Sequence, residues 1–187
     1  MGESRLSVPE DLRVWHFAGW RYAFVQPKDM PECLLGHDPT TWPHPWRGFF
    51  LKAPPGAKLI ITYPELAMDL AGNGDPARGA FFRRFLSLFQ APKGTFAFWP
   101  FALYEKQLVQ PYIQHFHEAL GFFSPRVVAC FGKETHAKIT SILAQNHNPT
   151  QNNAQFIECP SLADLISQPD TALREIVHIL SKALTDL

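Results

Sequence analysis

The sequence predicts a three-layer α/β/α sandwich on a four-stranded, mostly parallel sheet. Three observations predict it. Four short runs rich in β-branched or aromatic residues start at Leu59, Thr95, Arg126 and Gln155. A segment with helical apolar spacing follows each run. The runs at Leu59 and Arg126 are nearly continuous in apolar residues, as strands covered on both faces are. Strands that alternate with helices need right-handed crossovers, which lay helices on both faces of the sheet.

The chain begins with aromatics. Between Val14 and Val25, Trp20, Tyr22 and Phe24 alternate with Arg21 and Ala23, which predicts a short strand. Residues Pro27 to Pro55 then hold seven prolines, with Trp42 and Trp46 between them. Proline fixes φ and donates no backbone hydrogen bond, so this stretch is expected to be an irregular surface wrap pinned by its tryptophans. Trp42, Trp46, Phe49 and Phe50 either fold back on the core or form a surface for a protein partner. Large exposed apolar patches are uncommon, which favours folding back at least as strongly.

From Lys58 the pattern is regular. Leu59-Ile60-Ile61-Thr62-Tyr63 reads as a buried strand. Asp75-Pro76 places a capping carboxylate before a first-turn proline and starts a helix. Phe81, Phe85, Leu88 and Phe89 share one face of it. Pro92-Lys93-Gly94 ends it, and Thr95 to Trp99 forms the second strand. A helix is expected from Tyr104 to Leu120, kinked at Pro111 and stopped by Gly121. Arg126 to Phe131 is the third strand, followed by Gly132 and a helix from Glu134 to Ala144 with Ile139, Ile142 and Leu143 inward. Asn146 to Asn153 reads as a loop and Gln155 to Glu158 as the fourth strand. Ser161 caps a short turn. Asp170 is expected to cap a last helix with the stripe Leu173, Ile176, Val177, Leu180 and Leu184.

Composition bounds the function. The 187 residues suit a single domain. We expect a proline-rich aromatic wrap over 1–56 and an α/β core over 57–187. Aromatics reach 13%, with 16 Phe and 5 Trp, enough for a sizeable core. Lys+Arg and Asp+Glu both number 17, which argues against strong non-specific nucleic-acid binding. Arg78, Arg83 and Arg84 read as a solvated basic face, with local phosphate contact to DNA as the alternative. Cys33, Cys130 and Cys159 are odd in number and form no CxxC, which fits a reducing compartment and no cofactor cluster. His115 and His117 lie two apart, on different helix faces, so no metal is expected. The polar start Met1-Gly2-Glu3-Ser4-Arg5 and the short apolar runs predict a cytoplasmic protein without a membrane span.

In doubly wound sheets, ligands sit beyond the carboxyl ends of the strands. That rule selects Tyr63 to Asp69, Trp99 to Phe101, Gly132 to Thr135 and Cys159 to Ser161. These places carry a resemblance. Ser124-Pro125-Arg126, the run to Phe131 and Gly132-Lys133-Glu134 form one matching segment. Cys159-Pro160-Ser161-Leu162, with Leu165, Pro169 and the terminal amphipathic helix, forms a second. Asp69, Gly72 and Gly79 form a third. From Lys58 to Leu184 the chain thereby resembles the uracil-DNA glycosylase superfamily, particularly its family 4-like branch.

The resemblance implies that fold and a base-handling site. Tyr63, Trp99, Gly132, Cys159 and Ser161 would line the substrate site, with Glu65 or Asp69 as the carboxylate that holds a water. Departures from the pattern weaken the chemistry. Where the family has Gly-Glu-Ala/Pro-Gly, this chain has Tyr63-Pro64-Glu65-Leu66-Ala67. Trp99 stands where members often carry a base-reading Asn, and Cys159 where they carry a His. Four iron–sulfur cysteines are absent. Excision needs a flipped, hydrogen-bonded base and donors aimed at the leaving anion, each worth about 3 kcal/mol. The expectation is a divergent relative in DNA repair or DNA metabolism without ordinary uracil excision.

A second resemblance is to psi subunits of the bacterial DNA polymerase III clamp loader. It is carried by Ile61 through Leu70, by Cys159-Pro160-Ser161-Leu162-Ala163-Asp164-Leu165 before a terminal helix, and loosely by Trp20 to Pro27. It implies a non-enzymatic subunit that binds a protein partner, through the aromatic N-terminal third. An enzyme requires a polar concave pocket at Tyr63, Trp99 and Cys159. A subunit requires that pocket to be filled and an apolar groove to be exposed, one that involves the aromatic N-terminal third.

Overall fold

The computed structural model describes residues 39–89, 91–105, 108–111, 113–145 and 154–185. The expected strand around Trp20 to Phe24, Pro27, Cys33 and the loop from Asn146 to Asn153 lie outside the described residues.

A four-stranded sheet of β1 (Leu59–Thr62), β2 (Phe96–Phe98), β5 (Val127–Phe131) and β6 (Gln155–Cys159) forms the centre. Its order is β2-β1-β5-β6 and all three pairings are parallel. Leu59 pairs with Phe96 on one side and Val127 on the other, so β1 and β5 are central. Both are buried throughout, as their unbroken apolar character requires. Strand order reverses between them, which puts the crevice of the doubly wound sheet beyond Thr62 and Phe131.

Alternate side chains of the strands feed two cores. Leu59, Ile61, Tyr63, Val127, Ala129, Phe131 and Cys159 face α3 (Pro76–Leu88) and α7 (Asp170–Thr185). Ile60, Val128 and Cys130 face α1 (Trp46–Lys52), α4 (Ile113–Phe123) and α5 (Lys133–Gln145). This is the three-layer α/β/α sandwich. Short helices α2 (Leu66–Leu70) and α6 (Leu162–Leu165) follow β1 and β6. The first core explains much of the phenylalanine content. Phe81, Phe82, Phe85, Phe98 and Phe131 meet largely edge to face, with centroids 5.0–6.5 Å apart. Such pairs add about 0.5–1.5 kcal/mol each beyond burial.

The Asp75 carboxylate accepts from the Ala77 N–H at 2.8 Å, with Pro76 opening α3, as the sequence signal predicts. Four expectations need correction. Among the described residues, 104–105 and 108–111 are not helical. They form a hairpin, β3 (Ala102–Glu105) with β4 (Leu108–Pro111), in which Ala102 pairs with Pro111. Proline cannot sit inside a helix without losing a hydrogen bond, and here it ends an antiparallel strand instead. Gly121 does not stop α4, which continues to Phe123; Ser124 takes the positive φ of 45° that ends it. The proline-rich wrap contains a 3₁₀ turn at Pro39–Thr41 and the helix α1, which buries Trp46 and Phe49. Asp170 is the first residue of α7 rather than its cap, and its carboxylate pairs with Arg84 at 3.3 Å.

Candidate functional site

The four strand ends share one rim, and the rim is mostly filled. Tyr63 leaves β1 buried, stacked on Phe82 at 5.1 Å. Its hydroxyl donates to Asp69 Oδ2 at 2.7 Å. Asp69 stands on α2, one turn past the Pro64-Glu65 corner. Arg78, on the first turn of α3, clamps it in two-pronged fashion: Nε donates to Oδ2 at 2.8 Å and Nη2 to Oδ1 at 2.6 Å.

Burial pushes the Asp69 carboxyl up, but hydrogen bonds from Arg78 and Tyr63, with the Arg78 charge, outweigh it and hold the group below its ordinary range. Burial first, and then the hydrogen bond to Asp69, push the Tyr63 phenol well above its usual value. Hydrogen bonding to Asp69 raises Arg78 further. A general base needs a pKa near the working pH and a lone pair within reach of the proton it takes. Asp69 is an anion at neutral pH, and both of its oxygens already accept hydrogen bonds from Tyr63 or Arg78. Glu65 sits half-buried at the start of α2 without a capping hydrogen bond.

Trp99 follows β2 and is fully buried. Its backbone N–H donates to the Ile61 carbonyl at 3.1 Å. Its indole is covered by Trp42 and Trp46, at centroid distances of 5.7 and 5.9 Å, and by Phe123 at 5.6 Å. His115 of α4 packs on both covering tryptophans and approaches Glu118 at 3.0 Å. The tryptophans of the proline-rich segment therefore fold back and plug the rim. Among the described residues, the hydroxyls of Thr62 and Thr135 and the indole nitrogens of Trp42 and Trp99 are buried without a hydrogen-bond partner.

Gly132 has φ of 98°, a backbone state that favours glycine. Its N–H donates to the Cys159 carbonyl at 2.9 Å and its carbonyl accepts from His136 at 3.1 Å, joining β5, β6 and α5. Cys159 is buried, and burial, followed by the Glu158 charge, pushes its thiol up to about 12. Burial does the same to Cys130, also about 12, with smaller contributions from Cys159 and Glu158. Both are neutral thiols at pH 7, poor donors and poor nucleophiles. Ser161 caps α6: its Oγ accepts from the Asp164 N–H at 3.2 Å and donates to Asp164 Oδ2 at 2.6 Å.

A depression of about 370 Å³ opens at this end of the molecule, lined by Tyr63, Leu66, Asp69, Gly79, Phe82 and Phe98 among others. It joins Tyr63 and Asp69. Trp99, Gly132, Cys159 and Ser161 stand on the same rim but do not line it. Sequence reasoning missed Arg78 as the partner of Asp69 and missed Thr62; Thr135 ends the selected Gly132 to Thr135 turn, but no role was read for it. No spacing rule links Asp69 to Arg78, because the loop between the two helices sets their distance.

The basic face of α3 is largely neutralised. Arg78 is bound to Asp69 and lies 3.6 Å from Asp75. Arg84 pairs with Asp170 and donates to the Gln168 carbonyl at 2.7 Å. Arg83 is exposed. Among the described residues no group of three His, Cys, Asp or Glu side chains could hold a metal ion, and no helix is long and apolar enough to cross a membrane. No protein-family model matches the chain, and no curated protein matches it.

Proposed function

We propose that this chain is a non-catalytic interaction subunit of DNA metabolism, resembling psi subunits of the DNA polymerase III clamp loader. In this reading it uses a uracil-DNA glycosylase-like sandwich whose base crevice has been filled. The observation that carries it is the plug: Trp99 stands at the position expected to read a base, wholly buried beneath Trp42 and Trp46. The tied carboxylate of Asp69 and the neutral thiol of Cys159 support it, since excision needs an accessible base and charge-stabilising donors.

The reading is tested on purified protein with uracil-containing single- and double-stranded oligonucleotides, followed by alkaline cleavage of abasic sites. No strand scission above the buffer control is expected; robust scission overturns it. A pull-down from native extract tests the other half. Recovery of clamp-loader components supports the subunit, and their absence refutes it. The buried, unpartnered hydroxyls of Thr62 and Thr135 favour a second reading, a divergent glycosylase-like protein that still binds a small polar group there.

A further inference from the structure

The opposite, amino-terminal end of the sheet holds a second cavity, of about 360 Å³. Four backbone hydrogen bonds build it. The Lys58 and Leu59 N–H groups donate to the Thr95 carbonyl, and the Arg126 and Val127 N–H groups donate to the Lys58 carbonyl. These bonds gather the starts of β1, β2 and β5. The floor is apolar: Phe89, Ala91 and Pro92 after α3, and Leu184 from the last turn of α7. Lys58 and Arg126 stand on its wall, and among the described residues no acidic side chain lines it. Arg126 Nη1 donates to the Leu184 carbonyl at 2.9 Å, which fixes the guanidinium beside the pocket. No hydrogen bond or ion pair engages the Lys58 ammonium among the described residues, nor the other N–H groups of Arg126.

We propose that this cavity binds a peptide segment of a partner protein that carries a carboxylate next to a large apolar side chain. Charge complementarity selects it. Two cations beside an apolar floor, with no carboxylate among the described lining residues, match an anion one residue away from a hydrophobic group. Arginine adds planar, two-pronged recognition of a carboxylate. The partner class rests on the interaction-subunit reading; the pocket does not.

The test uses the full chain and a fluorescein-labelled peptide, Gly-Glu-Phe-Glu-Leu-Gly, followed by anisotropy at low and physiological salt. Saturable binding that weakens with salt is expected. The same peptide with Gln for both Glu should bind more weakly, and Lys58→Glu should weaken the acidic peptide by roughly fivefold or more. Lys58 is exposed and its side chain makes no bond among the described residues, so the variant is expected to fold; its circular dichroism checks this. No saturable binding, equal binding of the Gln peptide, or no effect of Lys58→Glu overturns the proposal. So does displacement by a single-stranded oligonucleotide, which assigns the cations to nucleic acid. Failure here leaves the pull-down result standing, and failure of the pull-down leaves peptide affinity standing.

Discussion

Replacing Asp69 by Asn isolates the network at the rim. Asn keeps one acceptor oxygen but loses the charge and half of the two-pronged contact with Arg78. Hydrogen bonds to charged groups contribute about 1.5–3 kcal/mol, and breaking a buried ion pair costs about 3–5 kcal/mol. Both side chains here are 16% exposed, so some solvent can replace the lost partner. A loss of about 2–3 kcal/mol is expected at pH 7, or roughly 4–12 °C in Tm for a chain of this size. The pH dependence carries a second check. The folded pKa of Asp69 is lowered from 3.8, so its contribution is fully present above that value and disappears as pH falls through the folded one. Urea denaturation of both proteins should show a stability gap that is constant from pH 7 to about 5 and narrows under more acidic conditions. A gap under about 0.5 kcal/mol at pH 7 would refute the structural role of Asp69, at the level set for ordinary surface changes. A gap as large at pH 3 as at pH 7 would refute its charged state.

Two further outcomes follow from the same geometry. Trp99→Ala should cost about 3–5 kcal/mol and collapse the near-ultraviolet circular dichroism, because Trp42 and Trp46 lose the surface they pack on; retention of that signal with a small loss would show that the plug packs elsewhere. Cys130 and Cys159, with thiols pushed up to about 12, should stay unmodified by iodoacetamide at pH 7.5 in the native protein and react once denaturant is added, as read by peptide mass spectrometry. Rapid native labelling of either would contradict their burial.

The parts that were legible in the sequence share a physical basis. Leu59 to Thr62 and Val127 to Phe131 are locally unambiguous, because strands covered on both faces must be apolar throughout. Asp75-Pro76 is unambiguous because the capping bond and the missing proline donor act within one turn. The hairpin at Ala102 to Pro111 was missed because a short strand pair draws its stability from pairing and tertiary context, which override local periodicity. Helix α1 was missed for a related reason. Its seven residues sit among prolines and gain their order by burying Trp46 and Phe49. At the site, the strand-end rule located Tyr63, Trp99, Gly132 and Cys159 on one rim. It could not reveal that Arg78 would reach Asp69, or that tryptophans from the preceding segment would cover Trp99. Both are contacts between separate elements, and no residue pattern within either element encodes them.

The parallel pairing of β1 has a consequence for biosynthesis. Leu59 to Thr62 leaves the ribosome long before Val127 to Cys130, its partners in the centre of the sheet. Until then the growing polypeptide displays an apolar strand with an unmet hydrogen-bonding edge, the kind of segment that draws chaperones or self-associates. Fragments that stop short of Phe131 would keep that edge open for good, so insolubility, rather than a stable half-molecule, is the expected fate of early truncation.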